Sequence, residues 1–174
     1  MMKRKKPIGD REMQTIMITG CSSGFGLETA RYFLEQGWKV IATMRVLRED
    51  LLPVSDRLRL VRLDVTSAQR IAEAIAEAGE IDVLVNNAGV GMLNALEGAS
   101  HEAIANLFAT NTLGTIAMTQ AVLPRFRARR SGTIVNITSA VTLQPMPLLA
   151  VYTASKAAVN AFTASLALEL RPFN

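Results

Sequence analysis

From residue 15 onward, short runs of β-branched and aliphatic residues alternate with longer segments whose apolar positions recur at helical spacing. The runs Thr15–Thr19, Lys39–Thr43, Leu58–Leu63, Ile81–Val85 and Thr133–Thr138 read as strands. Leu27–Gln36, Ser67–Ala78, Ser100–Phe108, Thr112–Arg129 and Val151–Leu170 read as helices. Most strand runs are apolar at consecutive positions, which suits strands covered by helices on both faces. The alternation predicts an α/β domain built on a doubly wound parallel sheet. Local punctuation agrees. Asp64-Val65-Thr66-Ser67 offers N-caps for the helix that follows, and Gly37 and Gly79 stand where left-handed C-caps are needed. Glu49 and Asp50 fall past the second strand, in an expected short helix.

Composition narrows the class. The chain has 174 residues, 49% of them apolar, enough for one core and too apolar for a disordered protein. No apolar run approaches the ~20 residues of a membrane span. One cysteine and one histidine exclude an internal disulfide and a closed structural zinc site, and point to a reducing compartment, by default the cytoplasm. The formal charge is +4, but Lys3, Arg4, Lys5, Lys6 and Arg11 crowd the first fourteen residues. The chain therefore divides into a basic arm, residues 1–14, and one domain, residues 15–174. The KRKK tetrad suits a nucleic acid or an anionic membrane, but more often such a run is a solvated tail. No apolar stretch follows it, so it is not a secretory leader. Arg125, Arg127, Arg129 and Arg130 close a long helix, where cations meet the negative end of the dipole. Neither a nucleic-acid nor a membrane partner is expected.

The first strand runs straight into Thr19-Gly20-Cys21-Ser22-Ser23-Gly24-Phe25-Gly26 and then a helix. Glycines there permit positive φ and close backbone approach, and the helix N-terminus beyond suits a pyrophosphate. The spacing is GxxxGxG, not the GxGxxG dinucleotide fingerprint, and a plain connecting turn is the alternative. The second strand closes on Arg45 with no acid beside it, which favours a ribose 2′-phosphate, hence NADP, over the free hydroxyl of NAD. A simple surface arginine is the other reading. Asn86-Asn87-Ala88-Gly89 ends the fourth strand at the same sheet edge, as a ligand contact or an ordinary turn. Ser139 follows the fifth strand, and Tyr152 and Lys156 stand four apart on the last helix, on one face. A phenol ionises at pH ~10, and an ammonium beside it favours the phenolate, so the pair suits acid–base work. The sole histidine, His101, opens a helix facing solvent, and no GxSxG elbow exists, so a serine hydrolase is excluded.

Together these residues resemble the short-chain dehydrogenase/reductase family. The resemblance spans residues 15–174 through TGCSSGFG at 19–26, DVT at 64–66, NNAG at 86–89, NTLGT at 111–115, Ser139 and YTASK at 152–156. It implies a Rossmann-like sheet of strand order 3-2-1-4-5 and a catalytic tetrad of Asn111, Ser139, Tyr152 and Lys156. By that resemblance Tyr152 is the acid–base, Lys156 assists it and binds the nicotinamide ribose, Ser139 polarises the carbonyl, and Asn111 holds a relay water. Gly20, Ser22, Ser23, Gly24, Phe25 and Gly26 hold the pyrophosphate, Asp64 and Val65 the adenine, and Asn87, Ala88 and Gly89 the adjoining ribose. The glycine loop and Ala42-Thr43-Met44-Arg45 are similar to the NADP-preferring 17β-hydroxysteroid and retinol dehydrogenase-like branch. The reaction implied is hydride exchange between NADP and an alcohol or carbonyl. Met92, Leu93, Val141, Leu143, Met146 and Leu148 suggest an apolar substrate, or serve as core and loop anchors.

Family chains continue into two more strands, whereas this sequence stops at Asn174, so a C-terminally truncated sheet with the fifth strand as an open edge is expected. A non-catalytic dinucleotide-binding or interaction protein is the alternative function. The resemblance also places a homodimer or homotetramer surface on the last helix.

Overall fold

The computed structural model describes residues 13–173, so most of the expected basic arm lies outside the described residues. Five parallel strands, β1 (Thr15–Ile18), β2 (Lys39–Met44), β3 (Leu58–Arg62), β4 (Val83–Asn86) and β5 (Thr133–Asn136), form one sheet in the order β3-β2-β1-β4-β5. The expected strand order and α/β class are therefore observed. Five α-helices connect and follow the strands: α1 (Gly24–Glu35), α2 (Ala68–Ala78), α3 (His101–Phe108), α4 (Gly114–Arg129) and α5 (Ala150–Leu170).

The two-residue period of a strand divides the core. Ile16 and Ile18 of β1 face α1, where they pack with Val40, Ala42, Met44, Ala30 and Leu34. Met17 faces the other way, into a cluster with Ile41, Val61, Leu84 and residues of α2 and α4. Helix α2 buries Ile71, Ala74, Ile75 and Ala78, the i, i+3, i+4, i+7 stripe that sets its rotation on the sheet. Its first turn is capped by Ser67, whose side chain accepts the Arg70 N–H. Burying each large side chain of these clusters contributes ~1.5–3 kcal/mol. Val135 of β5, on the α1 face, and Ile137 just past the strand remain 40% and 37% exposed, and β5 is a sheet edge among the described residues.

Several boundaries differ from the sequence expectation. The two middle helices are one continuous rod, because Ala109–Leu113 forms a π-helical turn with right-handed helical backbone at both joints. The extra residue of such a turn redirects side chains without breaking the helix, and such turns gather at functional sites. Glu49 and Asp50 lie in a turn, not a helix; Arg48 grips the Asp50 carboxylate through two hydrogen bonds of 2.9 and 2.8 Å. Gly37 has the positive φ of a C-cap at +85°. Gly79 has φ 73° but ψ −129°, outside the left-handed helical region; Arg125 Nη1 meets the freed Gly79 carbonyl at 2.7 Å. Arg125 and Arg129 thus serve the carbonyls of Gly79, Ile81 and Ser131, and Arg129 pairs with Asp82 at 3.3 Å.

Strand order reverses about β1, whose neighbours are β2 and β4. In an open α/β sheet the crevice beyond the carboxyl ends of such strands is where ligands bind.

Candidate active site

The crevice begins where β1 and β4 end side by side. Thr19 is buried, and its hydroxyl oxygen accepts the N–H groups of Asn87 and Ala88 at 3.0 and 2.9 Å. The Asn87 amide donates back to the carbonyls of Thr19 and Gly20 at 2.9 and 3.2 Å. Gly20 has φ +75°, and a Cβ on it would lie 2.9 Å from the Ala88 Cα. At Gly26 a Cβ would fall 2.3 Å from the Gly20 oxygen and 2.4 Å from the Asn87 amide nitrogen. The glycines therefore let α1, the loop and the Asn87 turn close onto one another.

Helix α1 starts without a side-chain cap at Ser23 and without an acid in its first turn, whereas serines cap α2 and α3. Its leading N–H groups and positive dipole end open on a cleft of about 990 Å³. Gly20, Ser22, Ser23, Gly24 and Phe25 line that cleft, with Arg45, Asp64, Val65, Asn87, Ala88 and Gly89 further along it. Gly26 is buried against the loop. Asp64 accepts the Thr66 N–H at 2.9 Å and the Thr66 hydroxyl at 2.7 Å. Those bonds hold its carboxyl below the usual range, and the nearby Arg45 charge adds a smaller lowering.

The far end of the cleft is lined by Ser139, Tyr152 and Lys156. Lys156 is 5% exposed, and its ammonium donates to the Ile137 carbonyl at 2.9 Å. Burial pushes its pKa down from the usual lysine value. A Cβ on Gly89 would lie 3.3 Å from Lys156 Nζ and 3.2 Å from Asn111 Oδ1, so the NNAG turn is what leaves room for both. Asn111 is fully buried in the π-helical turn, behind the cleft wall. Its amide oxygen accepts the Val90 N–H at 2.8 Å, and its nitrogen donates to the Val90 carbonyl at 2.9 Å and the Ser155 hydroxyl at 3.2 Å. Ser139 Oγ accepts the Val141 N–H at 3.4 Å, which leaves its own proton to donate into the cleft. Among the described residues, no hydrogen bond joins the side chains of Ser139, Tyr152 and Lys156 to one another.

Comparison with known proteins agrees with this fold. The family model described as short chain dehydrogenase matches residues 14–174. Retinol dehydrogenase 8 of Bos taurus is 42% identical over 173 residues, covering 92% of this chain and 55% of that protein. Among solved structures, a short-chain dehydrogenase from Streptomyces avermitilis superposes with a TM-score of 0.88 at 34% identity, covering 95% of this chain and 63% of that one. A serine dehydrogenase in its closed form, complexed with NADP+, gives 0.84 at 37% identity, covering 91% and 67%. The chain belongs to the short-chain dehydrogenase family. It spans a little over half the length of the retinol dehydrogenase it matches.

Within this member of the family three residues of the site were not legible as such. Ser155 is completely buried and donates to the Tyr152 carbonyl at 2.7 Å, while its own carbonyl takes the Thr112 hydroxyl at 2.9 Å. It sits inside the YTASK motif, but only the meeting of α5 with the π-helical turn shows what it binds. Asn106 and Thr110, four apart on the rod, also line the cleft, and their spacing alone was the available signal. None of the six apolar residues expected near the substrate lines the cleft. Leu93, Leu143, Met146 and Leu148 stand exposed on the two loops beside it. Those loops are joined by the Asn94 N–H to Leu148 carbonyl bond at 2.9 Å.

Among the described residues no helix is long and apolar enough to cross a membrane.

Proposed function

We propose that this chain carries the cofactor site and acid–base group of an NADP-dependent oxidoreductase interconverting a secondary alcohol and a ketone, or an aldehyde, on an apolar substrate. The observation that carries the reading is the convergence of an uncapped, acid-free helix start with Ser139, Tyr152 and Lys156 on one cleft. The residues fit a dinucleotide. The α1 N–H groups and glycine loop receive the pyrophosphate, Arg45 the 2′-phosphate, Asp64 and Val65 the adenine, and Asn87 to Gly89 the ribose. NADP in a structural relative supports that choice over NAD.

When bound, the nicotinamide supplies or accepts the hydride. Ser139 donates its hydroxyl proton to the carbonyl oxygen as a hydrogen bond, polarising it. In reduction Tyr152 transfers its phenolic proton to that oxygen; in oxidation it takes the proton back. Lys156, one helical turn on, stabilises the phenolate by its charge and holds the nicotinamide ribose. Asn111 has both amide protons engaged, and its main-chain oxygen accepts the Thr115 hydroxyl at 3.0 Å, so the second lone pair of Oδ1 is the side-chain acceptor left for a relay water. The exposed leucines and Met146 beside the cleft support an apolar substrate body.

Thermal unfolding with NADPH and with NADH tests the cofactor site first. A ligand at 100 times its Kd stabilises the native state by ~2.7 kcal/mol, so NADPH should raise the midpoint and NADH should need a higher concentration. Turnover of NADPH with a panel of apolar ketones and aldehydes tests the chemistry, and binding with no turnover across the panel assigns the chain a dinucleotide-binding role instead. Arg45→Ala should cost NADPH ~10- to 100-fold in affinity, the worth of a charge-assisted hydrogen bond, and leave NADH unaffected. An unchanged preference between the two would remove Arg45 from the phosphate site.

A further inference from the structure

Helix α5 carries a third polar side chain in the Tyr152–Lys156 row. Asn160 follows Lys156 by four residues, and both it and Thr142 are half-buried. The Asn160 amide donates to Thr142 Oγ1 at 2.9 Å, and Thr142 in turn donates its hydroxyl proton to the Ser139 carbonyl at 2.8 Å. The Thr142 N–H meets the same carbonyl at 3.1 Å. The direction of the relay is set by its middle member. Thr142 has one proton, already given to Ser139, so it can only accept from position 160. Ser139 opens the 3₁₀ turn Ala140–Thr142, and Lys156 of the helix bearing Tyr152 holds the Ile137 carbonyl two residues before it. Among the described residues, the Asn160–Thr142 bond is the side-chain hydrogen bond that ties the turn itself to that helix.

We propose that Asn160 and Thr142 are positioning residues for Ser139. Through them a single stripe of α5 sets Tyr152 and Lys156 directly and Ser139 at one remove, in a common register. The inference rests on the oxidoreductase reading for its effect on turnover, but the linkage itself is measurable without it. Pre-organised hydrogen-bond donors matter in proportion to how well they are held, so the relay acts on the step in which charge develops on the carbonyl oxygen.

The test uses the full chain with Thr142→Val, which is isosteric but lacks the hydroxyl, Thr142→Ser, which keeps it, and Asn160→Asp, which turns the donor into an acceptor. With NADPH present, amide hydrogen exchange at Val141, Thr142 and Leu143 should speed up about tenfold in Thr142→Val and Asn160→Asp, with α5 protection unchanged. Thr142→Ser should restore the slow exchange. In turnover, kcat should fall about tenfold in the first two variants at unchanged NADPH affinity, and Thr142→Val should add nothing in a Ser139→Ala background. Unchanged exchange in both variants overturns the positioning role, as does a full additive loss beside Ser139→Ala. A wild-type chain without turnover counts against the oxidoreductase reading, while exchange still decides the linkage.

Discussion

Tyr152→Phe should lower NADPH-dependent carbonyl reduction by ~10²- to 10⁴-fold, the range that a positioned acid–base group supplies. The substitution removes one oxygen from the cleft and nothing from the scaffold. The main-chain carbonyl of residue 152 still receives the Ser155 hydroxyl, and Asn111 still holds Ser155 from the other side. The thermal midpoint and the NADPH-induced shift should therefore match wild type, which separates lost chemistry from lost structure. Unchanged reduction by the phenylalanine variant would show that the proton comes from another group, and the mechanism would have to be abandoned.

Gly26→Val should remove NADPH binding and destabilise the fold, because the space a Cβ needs is already filled. Its Cβ would lie 2.3 Å from the Gly20 oxygen, a backbone atom, and 2.4 Å from the Asn87 amide nitrogen. That nitrogen is bonded to two carbonyls and cannot swing aside without losing both. Overpacking of this kind costs ~1–3 kcal/mol or more. For a chain of this size each kcal/mol lowers the midpoint by ~2–4 °C. Gly24→Ala is the matched control. Its φ of +57° is strained for alanine, but no atom lies within 4 Å of the new Cβ. That strain costs ~1–2 kcal/mol, without a wedge between the loop and the Asn87 turn. Equal losses in the two variants would show that close packing at Gly26 is not what the motif needs.

The three glycines of the loop illustrate how far a sequence carries. Their presence between a strand and a helix was legible as a demand for unusual backbone or close approach. Which demand belongs to which glycine was not. Gly24 has positive φ and open space, Gly26 has tight space, and Gly20 has both. Arg125 shows the same limit in another form. Its place at a helix end suggested its own helix dipole, yet its guanidinium reaches the carbonyls of Gly79, just past α2, and of Ile75 within it, 46 and 50 positions earlier.

By itself the sequence determined the α/β class, the succession of elements and which residues stand at the ends of β1, β2, β4 and β5. Those properties follow from periodicity and turn chemistry within a dozen neighbouring residues, and the fingerprint motifs sit at those ends. Tertiary structure alone decided that the middle helices run on through a π-helical turn, and that Asn111 lies behind the cleft wall while Lys156 lies on it. It also decided that Ser155, Thr142 and Asn160 hold the site together. The placements of Asn111, Ser155, Thr142 and Asn160 depend on hydrogen bonds between segments 18 to 44 residues apart, and a side chain's partner across such a distance is set by how packed elements meet.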